Sequence, residues 1–331
     1  MPELARLFAI GSALAALVLV GIVRQLALRN GVMDHPTSRS SHVVPTPRGG
    51  GRGVLLVVLG AWGWIATHPM TWSILVLLVG LSMVAVVGHF DDKRGLGVGP
   101  RLVVHVLAAS FVGYLATVRA PTLPIAAGLF LWWTFWTVSS INVVNFMDGI
   151  NGLVASQVAV FALSLALFPD PSNTVPLLAT IVVGGCVGFL PWNFPRARIF
   201  LGDVGSGTLG YLVPVLALLA MHAQGIDIVR AHLPLLLLFG DATFTIVRRW
   251  RRGERLTEAH RSHLYQRLAN GRLGHTAVTC IYALVALLGA AVAHVGDPSI
   301  AWSWIGAYAV LTLVLGLALD RFAGHGAAAA S

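Results

Sequence analysis

TWSILVLLVGLSMVAVVGHFDDKR, residues 71–94, carries no charge from Thr71 to Phe90 and then closes on two acids and two cations. About 20 apolar residues are what a helix needs to cross a hydrocarbon layer roughly 30 Å thick. The same design recurs along the chain. Apolar runs lie at roughly 4–23, 54–67, 71–89, 102–118, 124–141, 152–168, 174–190, 207–221, 232–248, 275–293 and 299–318. The second and eighth are the short ones, so ten or eleven spans are expected. Of the 331 residues, 56% are hydrophobic and only 11% charged, with a mean hydropathy of +0.80. A soluble domain is usually near 25% charged and has no core large enough for this much apolar surface. The sequence therefore predicts an all-α, polytopic transmembrane bundle, a single domain over residues 1–331. The first run has only Arg6 ahead of it and no clear small-residue cleavage site, and reads as a retained helix.

Two kinds of segment separate the runs. One kind is short and chemically poor: His68 to Met70, Arg119 to Leu123, Pro169 to Asn173, Ala223 to Ala231 and Val295 to Pro298. The other is rich in polar residues: Asn30 to Gly53, Phe90 to Arg101, Asn142 to Asn151, Pro191 to Ser206 and Arg249 to Gly274. Alternating sides along the chain puts the whole second set on one face. Nineteen of the 22 Lys and Arg fall there, leaving Arg6, Arg119 and Arg230 on the other. Basic residues favour the cytoplasmic side, which places the rich face in the cytoplasm and the N-terminus outside. The net charge of +9 is on this reading a topology signal and not a nucleic-acid footprint. Cys186 and Cys280 both lie in apolar segments and suggest neither a disulfide framework nor a catalytic thiol.

The polar face holds five constellations. PTPRGGG, residues 45–51, joins the cation Arg48 to flexible backbone whose amides can approach phosphate oxygens, though a basic loop has the same look. Asp91 and Asp92, beside Lys93 and Arg94, can bind a divalent cation or take a proton. In NFMDGING, residues 145–152, Asn145 and Asp148 are three apart, which sets two hard oxygen donors on one helical face. A helix cap would use the same residue types. FLGDVGSG, residues 200–207, puts Asp203 where a helix begins, as a cap or as a metal ligand. Ahead of it stand Trp192, Asn193 and Phe194, and Arg196 and Arg198. Finally, a basic run from Arg248 to Arg255 leads into His260, Arg261 and His263, a clamp for pyrophosphate or a patch for anionic lipid. Asp241 lies seven residues before Arg248, inside a membrane span, placed to orient this loop or line the site. Acids for a hard metal, cations for phosphate and glycines for close approach together fit phosphoryl transfer.

The series PTPRGGG, DDKRGLG, NFMDGING, FLGDVGS and HRSHLYQRL, in that order from Asp34 to about Arg267, resembles the polyprenyl-phosphate N-acetylhexosamine-1-phosphate transferases of glycosyltransferase family 4. It looks most similar to the branch that starts O-antigen synthesis. The resemblance implies transfer of a sugar 1-phosphate from a UDP-N-acetylhexosamine (UDP-GlcNAc, or a FucNAc or QuiNAc relative) to undecaprenyl phosphate, with release of UMP. It implies magnesium, with manganese as a substitute, a cytoplasm-facing cleft with a lipid-side groove for the prenyl chain, a bacterial inner-membrane location among membrane lipids, and allows a homodimer. Carried over by motif, Asp91, Asp92 and Asp148 are the catalytic acids, and Asp203 with Asn145 is the metal site. Asn145, Asn151, Asn193, Arg48, His260, Arg261 and His263 are the donor-binding set. Asn151 departs from the Asp that many bacterial members carry, so no ionising role is carried to it. The basic loop lacks the consecutive histidines of the muramyl-pentapeptide branch, which argues against that donor. Two other classes remain in view. A transporter or flippase would put its charges and broken helices near the midplane of repeated halves. A lipid-docking scaffold would not need Asp91, Asp92 and Asp203.

Overall fold

A computed structural model describes residues 2–36, 44–67, 72–255, 258, 260–295, 300, 302–310 and 314. The helices are α1 (Pro2–Arg29), α2 (Gly51–Ile65), α3 (Trp72–Arg94), α4 (Val98–Thr117), α5 (Leu123–Phe146) and α6 (Leu153–Ala166). After them come α7 (Thr174–Asn193), α8 (Gly202–Gln224), α9 (Ile228–His232), α10 (Leu236–Arg251), α11 (Leu264–Leu268) and α12 (Gly274–Ala293). One small antiparallel pair, β1 (Met33–Asp34) and β2 (Thr46–Pro47), joins α1 to α2. The chain is a polytopic all-α membrane protein. Among the described residues eight helical stretches are long and apolar enough to cross a membrane, α9 and α10 counting as one. Helices α2 and α6 are apolar but shorter. Of the expected eleventh span, 299–318, residues 300, 302–310 and 314 are described and are helical, whereas Arg39 and His42 lie outside the described residues.

One expectation about length is corrected. The eighth span is not short: α8 runs 23 residues, because the glycine-rich motif around Asp203 is its first turn and not a loop before it. Helix α8 is also the centre of the bundle. Every residue from Val204 to Leu218 is buried, whereas α1 turns Leu7, Ile10, Leu14 and Val18 outward. A helix apolar all round and buried all round marks the middle of a large assembly.

Lipid tails are as apolar as leucine, so hydrophobicity alone does not hold helices together in a membrane; close backbone contact and internal hydrogen bonds do. Gly184 and Gly188 on α7 let α1 in so closely that a Cβ would meet Ala9 O at 2.5 Å and Ala13 O at 2.2 Å. The tightest approach is between the N-termini of α2 and α8, where a Cβ on Gly51 would lie 2.1 Å from Gly205 Cα. Two polar side chains inside the bundle bond to backbone across helices: Ser140 Oγ donates to Gly210 O at 2.7 Å, and Trp62 Nε1 to Leu178 O at 3.2 Å.

Gly51→Ala therefore forces two helix ends apart. It is expected to cost about 1–3 kcal/mol and to lower the melting temperature of the detergent-solubilised protein. Gly60→Ala, at a position where a Cβ meets nothing within 4 Å, is expected to leave it unchanged.

Candidate active site

The polar motifs lie at helix ends that share one end of the bundle: the C-termini of α3, α5 and α7 and the N-termini of α2, α6, α8 and α12. The end of β2 and the glycines that follow it are laced onto the segment before α8. Phe200 N–H donates to Pro47 O at 2.8 Å, and the amides of Gly49 and Gly50 both donate to Phe200 O, at 3.1 and 2.8 Å. Gly51 N–H donates to Leu201 O at 2.8 Å. The three glycine amides of PTPRGGG are thus spent on protein carbonyls and do not face phosphate, which corrects the phosphate-loop reading. What the lacing does is fix Arg48 directly over the start of α8.

Arg48 Nε lies 2.9 Å from Asp92 Oδ1 and its Nη2 3.0 Å from Asp203 Oδ2. Burial works against the Arg48 charge, but Asp203 and Asp92 outweigh it and raise its pKa above the ordinary value. Asp92, whose side chain is 1% exposed, also accepts the Asp203 N–H at 2.9 Å and stands 3.9 Å from Arg52 Nη2. It caps α8 from another helix. The residue in the N-cap position, Leu201, has no side chain able to do so. Gly202, at φ +76°, brings the backbone up to this carboxylate, where a Cβ would stand 3.0 Å from Asp92 Oδ2. Asn145, in the last turn of α5, donates through Nδ2 to Asp203 Oδ1 and to Ser206 Oγ, each at 2.9 Å.

The paired acids do not act as a pair. They sit in the last turn of α3, not in a loop, and adjacent helical residues point about 100° apart. Asp91 turns away, accepts the Leu96 N–H at 2.6 Å and pairs with Arg101. It lines a small recess of about 20 Å³ with Arg101, His105 and Asn145, not the main cleft. The same-face expectation for Asn145 and Asp148 is also corrected: α5 ends at Phe146, and Asp148 lies in the turn beyond it.

The main cleft encloses about 190 Å³ and is polar. Arg48, Asn145, Asp148, Asn151, Asn193 and Asp203 line it. Asn151 and Asn193 are tied into its wall: Asn151 Nδ2 donates to Pro195 O at 3.0 Å, and Asn193 Oδ1 accepts the Gly152 N–H at 2.6 Å. Asp34, Gln266 and His275 line it too, and sequence reasoning assigned none of them a role. Gln266 stands inside the motif HRSHLYQRL; His275 opens an apolar helix and carries no such signal. The basic clamp is not in the cleft. His263 is buried under Asp241 at 3.8 Å, and His260 packs on it with ring centroids 4.8 Å apart. Burial first, then the charges of His263 and Arg249, lowers the His260 pKa to about 4, so it carries no charge for a phosphate at neutral pH.

Among the described residues no three His, Cys, Asp or Glu side chains gather to hold a metal unaided, and Asn145 points its amide nitrogen, not its carbonyl, at Asp203. The donor set still suits magnesium, which is commonly held by one or two carboxylates together with substrate phosphates. Burial first, and then the charge of Asp203, pushes the Asp148 carboxyl well above its ordinary pKa. A divalent cation between the two acids would relieve that repulsion.

An all-α membrane bundle in which acids, amides and an arginine converge on a polar cleft at one end is the class that the fold and the site define. The chain belongs to a particular family. It matches the family described as glycosyl transferase family 4 over residues 74–221. It is 30% identical to the decaprenyl-phosphate N-acetylglucosaminephosphotransferase of Mycolicibacterium smegmatis, over 90% of this chain and 84% of that one. It is 32% identical to a phospho-N-acetylmuramoyl-pentapeptide-transferase of Synechococcus, over 90% of this chain and 91% of the relative. A probable undecaprenyl-phosphate N-acetylglucosaminyl 1-phosphate transferase of Bacillus subtilis is 27% identical over 84% of this chain and 80% of its own length.

The geometry separates the adjacent acids in a measurable way. In denaturant unfolding, Arg48→Ala and Asp92→Ala are expected to show a coupling energy of about 0.5–3 kcal/mol, whereas Arg48→Ala and Asp91→Ala are expected to add within about 0.5 kcal/mol.

Proposed function

We propose that the protein transfers an N-acetylhexosamine 1-phosphate from a UDP-sugar to a polyprenyl phosphate, releasing UMP, on the cytoplasmic face of the bacterial inner membrane. The observation that carries this reading is the Arg48 bridge between Asp92 and Asp203 at the mouth of α8, set in a chain of this family. UDP-GlcNAc, or a 6-deoxy relative, is the donor class we favour, and the product would begin O-antigen or another cell-envelope polysaccharide. The cytoplasmic assignment rests on the concentration of basic residues at this end.

In the reaction an oxygen of the prenyl phosphate attacks the β-phosphorus of the donor, a new P–O bond forms, and the bond to the α-phosphate breaks as UMP leaves. A phosphate monoester has a second pKa of about 6, so the attacking oxygen is largely ionised without a base. The work left for the protein is positioning and charge neutralisation. Asp92, with both oxygens engaged by Arg48, Arg52 and the Asp203 amide, suits the holding of Arg48 rather than covalent attack. An aspartyl-phosphate route would show as retention at a chirally labelled phosphorus, and direct attack as inversion. Bound magnesium supplies charge neutralisation to the diphosphate; Asp203, Asp148 and the Asn145 carbonyl are the groups that would hold it. The cleft is smaller than the roughly 300–1,000 Å³ usual for ligand sites, so it suits the diphosphate, with the rest of the donor lying over the open mouth.

A place for the isoprenoid chain is available on the lipid-facing side. Leu75, Val79, Met83, Val87 and Phe90 of α3, with Val104 of α4, line an apolar groove of about 690 Å³. Val87 also lines the recess beside Asp91 and Arg101, so the groove leads toward the acids.

Purified protein in detergent is expected to release UMP only when UDP-N-acetylhexosamine, undecaprenyl phosphate and magnesium are all present. Asp203→Ala is expected to lower the rate about 100-fold or more. Release without lipid, or an unimpaired Asp203→Ala variant, would overturn the assignment. Met83→Trp, which fills the groove, is expected to raise KM for the lipid several-fold and leave KM for the UDP-sugar unchanged.

A further inference from the structure

Asp241 sits in the middle of α10, seven residues or about 10 Å of helix before Arg248, and is fully buried. A carboxyl group in hydrocarbon is costly and calls for an explanation. Four donors converge on this one. Oδ1 accepts the Leu264 N–H at 2.7 Å and the Thr245 hydroxyl at 3.3 Å; Oδ2 accepts the Tyr265 N–H and the Tyr282 hydroxyl, each at 2.9 Å. Two of these donors are the first amides of α11, so a membrane-buried acid caps a five-residue helix that arrives from the polar face. At its other end α11 runs on through a π-helical stretch, Ala269–Leu273, kinked at Gly271, into α12, so the end that needs acceptors is the one Asp241 caps.

What α11 carries explains why it is held. Tyr265 is fully buried, and its hydroxyl donates to Phe146 O at 3.0 Å, the last carbonyl of α5. The same side chain fills the space beside Gly149, where a Cβ would stand 2.2 Å from its hydroxyl oxygen. Asp148 lies between those two contacts. The next residue, Gln266, lines the cleft directly.

We propose that Asp241 is a positioning residue for the transferase reaction: it docks α11, and through Tyr265 it sets the turn that aims Asp148 into the cleft. Resting on the transferase reading above, the proposal predicts a loss in turnover more than in binding. Asp241→Asn offers a donor where two donors already stand, and so releases one oxygen's partners. The experiment uses the full-length protein in detergent, with Asp170→Asn as a control, a buried acid that caps a loop outside the active-site end. Asp241→Asn is expected to lower kcat at least tenfold with each KM changed less than threefold. Tyr265→Phe is expected to do the same, and the double variant to be no worse than Asp241→Asn alone. Asp241→Glu is expected to recover part of the loss. Independently of activity, trypsin is expected to cut after Arg267 faster in Asp241→Asn than in the native protein. Additive losses in the double variant, an equal kcat loss in Asp170→Asn, or unchanged trypsin cleavage would each overturn the proposal. An inactive native protein whose Asp241→Asn variant still shows faster cleavage would instead overturn the transferase reading and uphold the docking.

Discussion

Everything at the polar end of this molecule depends on how the first turn of α8 is terminated. A helix begins with unpaired amides that need acceptors from outside its own turns. The chain supplies Asp92 from α3, and the same carboxylate then needs a cation, which Arg48 provides from the segment before α2. One unmet valence thus draws three distant stretches together, and the polar cleft is what remains between them.

The glycines serve that convergence. Gly51 and Gly205 remove the side chains that would hold α2 and α8 apart, and Gly202 lets the backbone rise to meet Asp92. Without those approaches Arg48 would stand too far off to span both acids. The capping of α8 and the geometry of the cleft mouth are therefore the same set of contacts, and Leu201 in the N-cap position adds no side-chain cap of its own.

The spans were legible because apolar length is a direct consequence of bilayer thickness. Most of the cleft was legible too, since Arg48, Asn145, Asp148, Asn151, Asn193 and Asp203 stand in polar motifs that interrupt apolar sequence. Two of the misreadings share one cause: helices run further than their apolar stretches do. Helix α3 continues through Asp92, and once the pair is helical its members must diverge, so adjacency in sequence marked two roles and not one. The same extension made a loop of what is the start of α8. His260 and His263 misled for another reason. Histidines and arginines in a row look solvated, yet Asp241 inside the bundle draws the segment inward, and that pull comes from a residue more than twenty positions away.

The cleft is assembled from residues scattered between Asp34 and His275. At the usual pace of synthesis, about 5–20 residues per second, their emergence from the ribosome is separated by on the order of 10–50 s. From the emergence of Asp203 to that of His275, about 4–15 s at that pace, the growing chain holds Arg48, Asp92 and Asp203 with one wall of the cleft missing. Only when α12 has been inserted, bringing His275 with it, is the wall of the cleft complete.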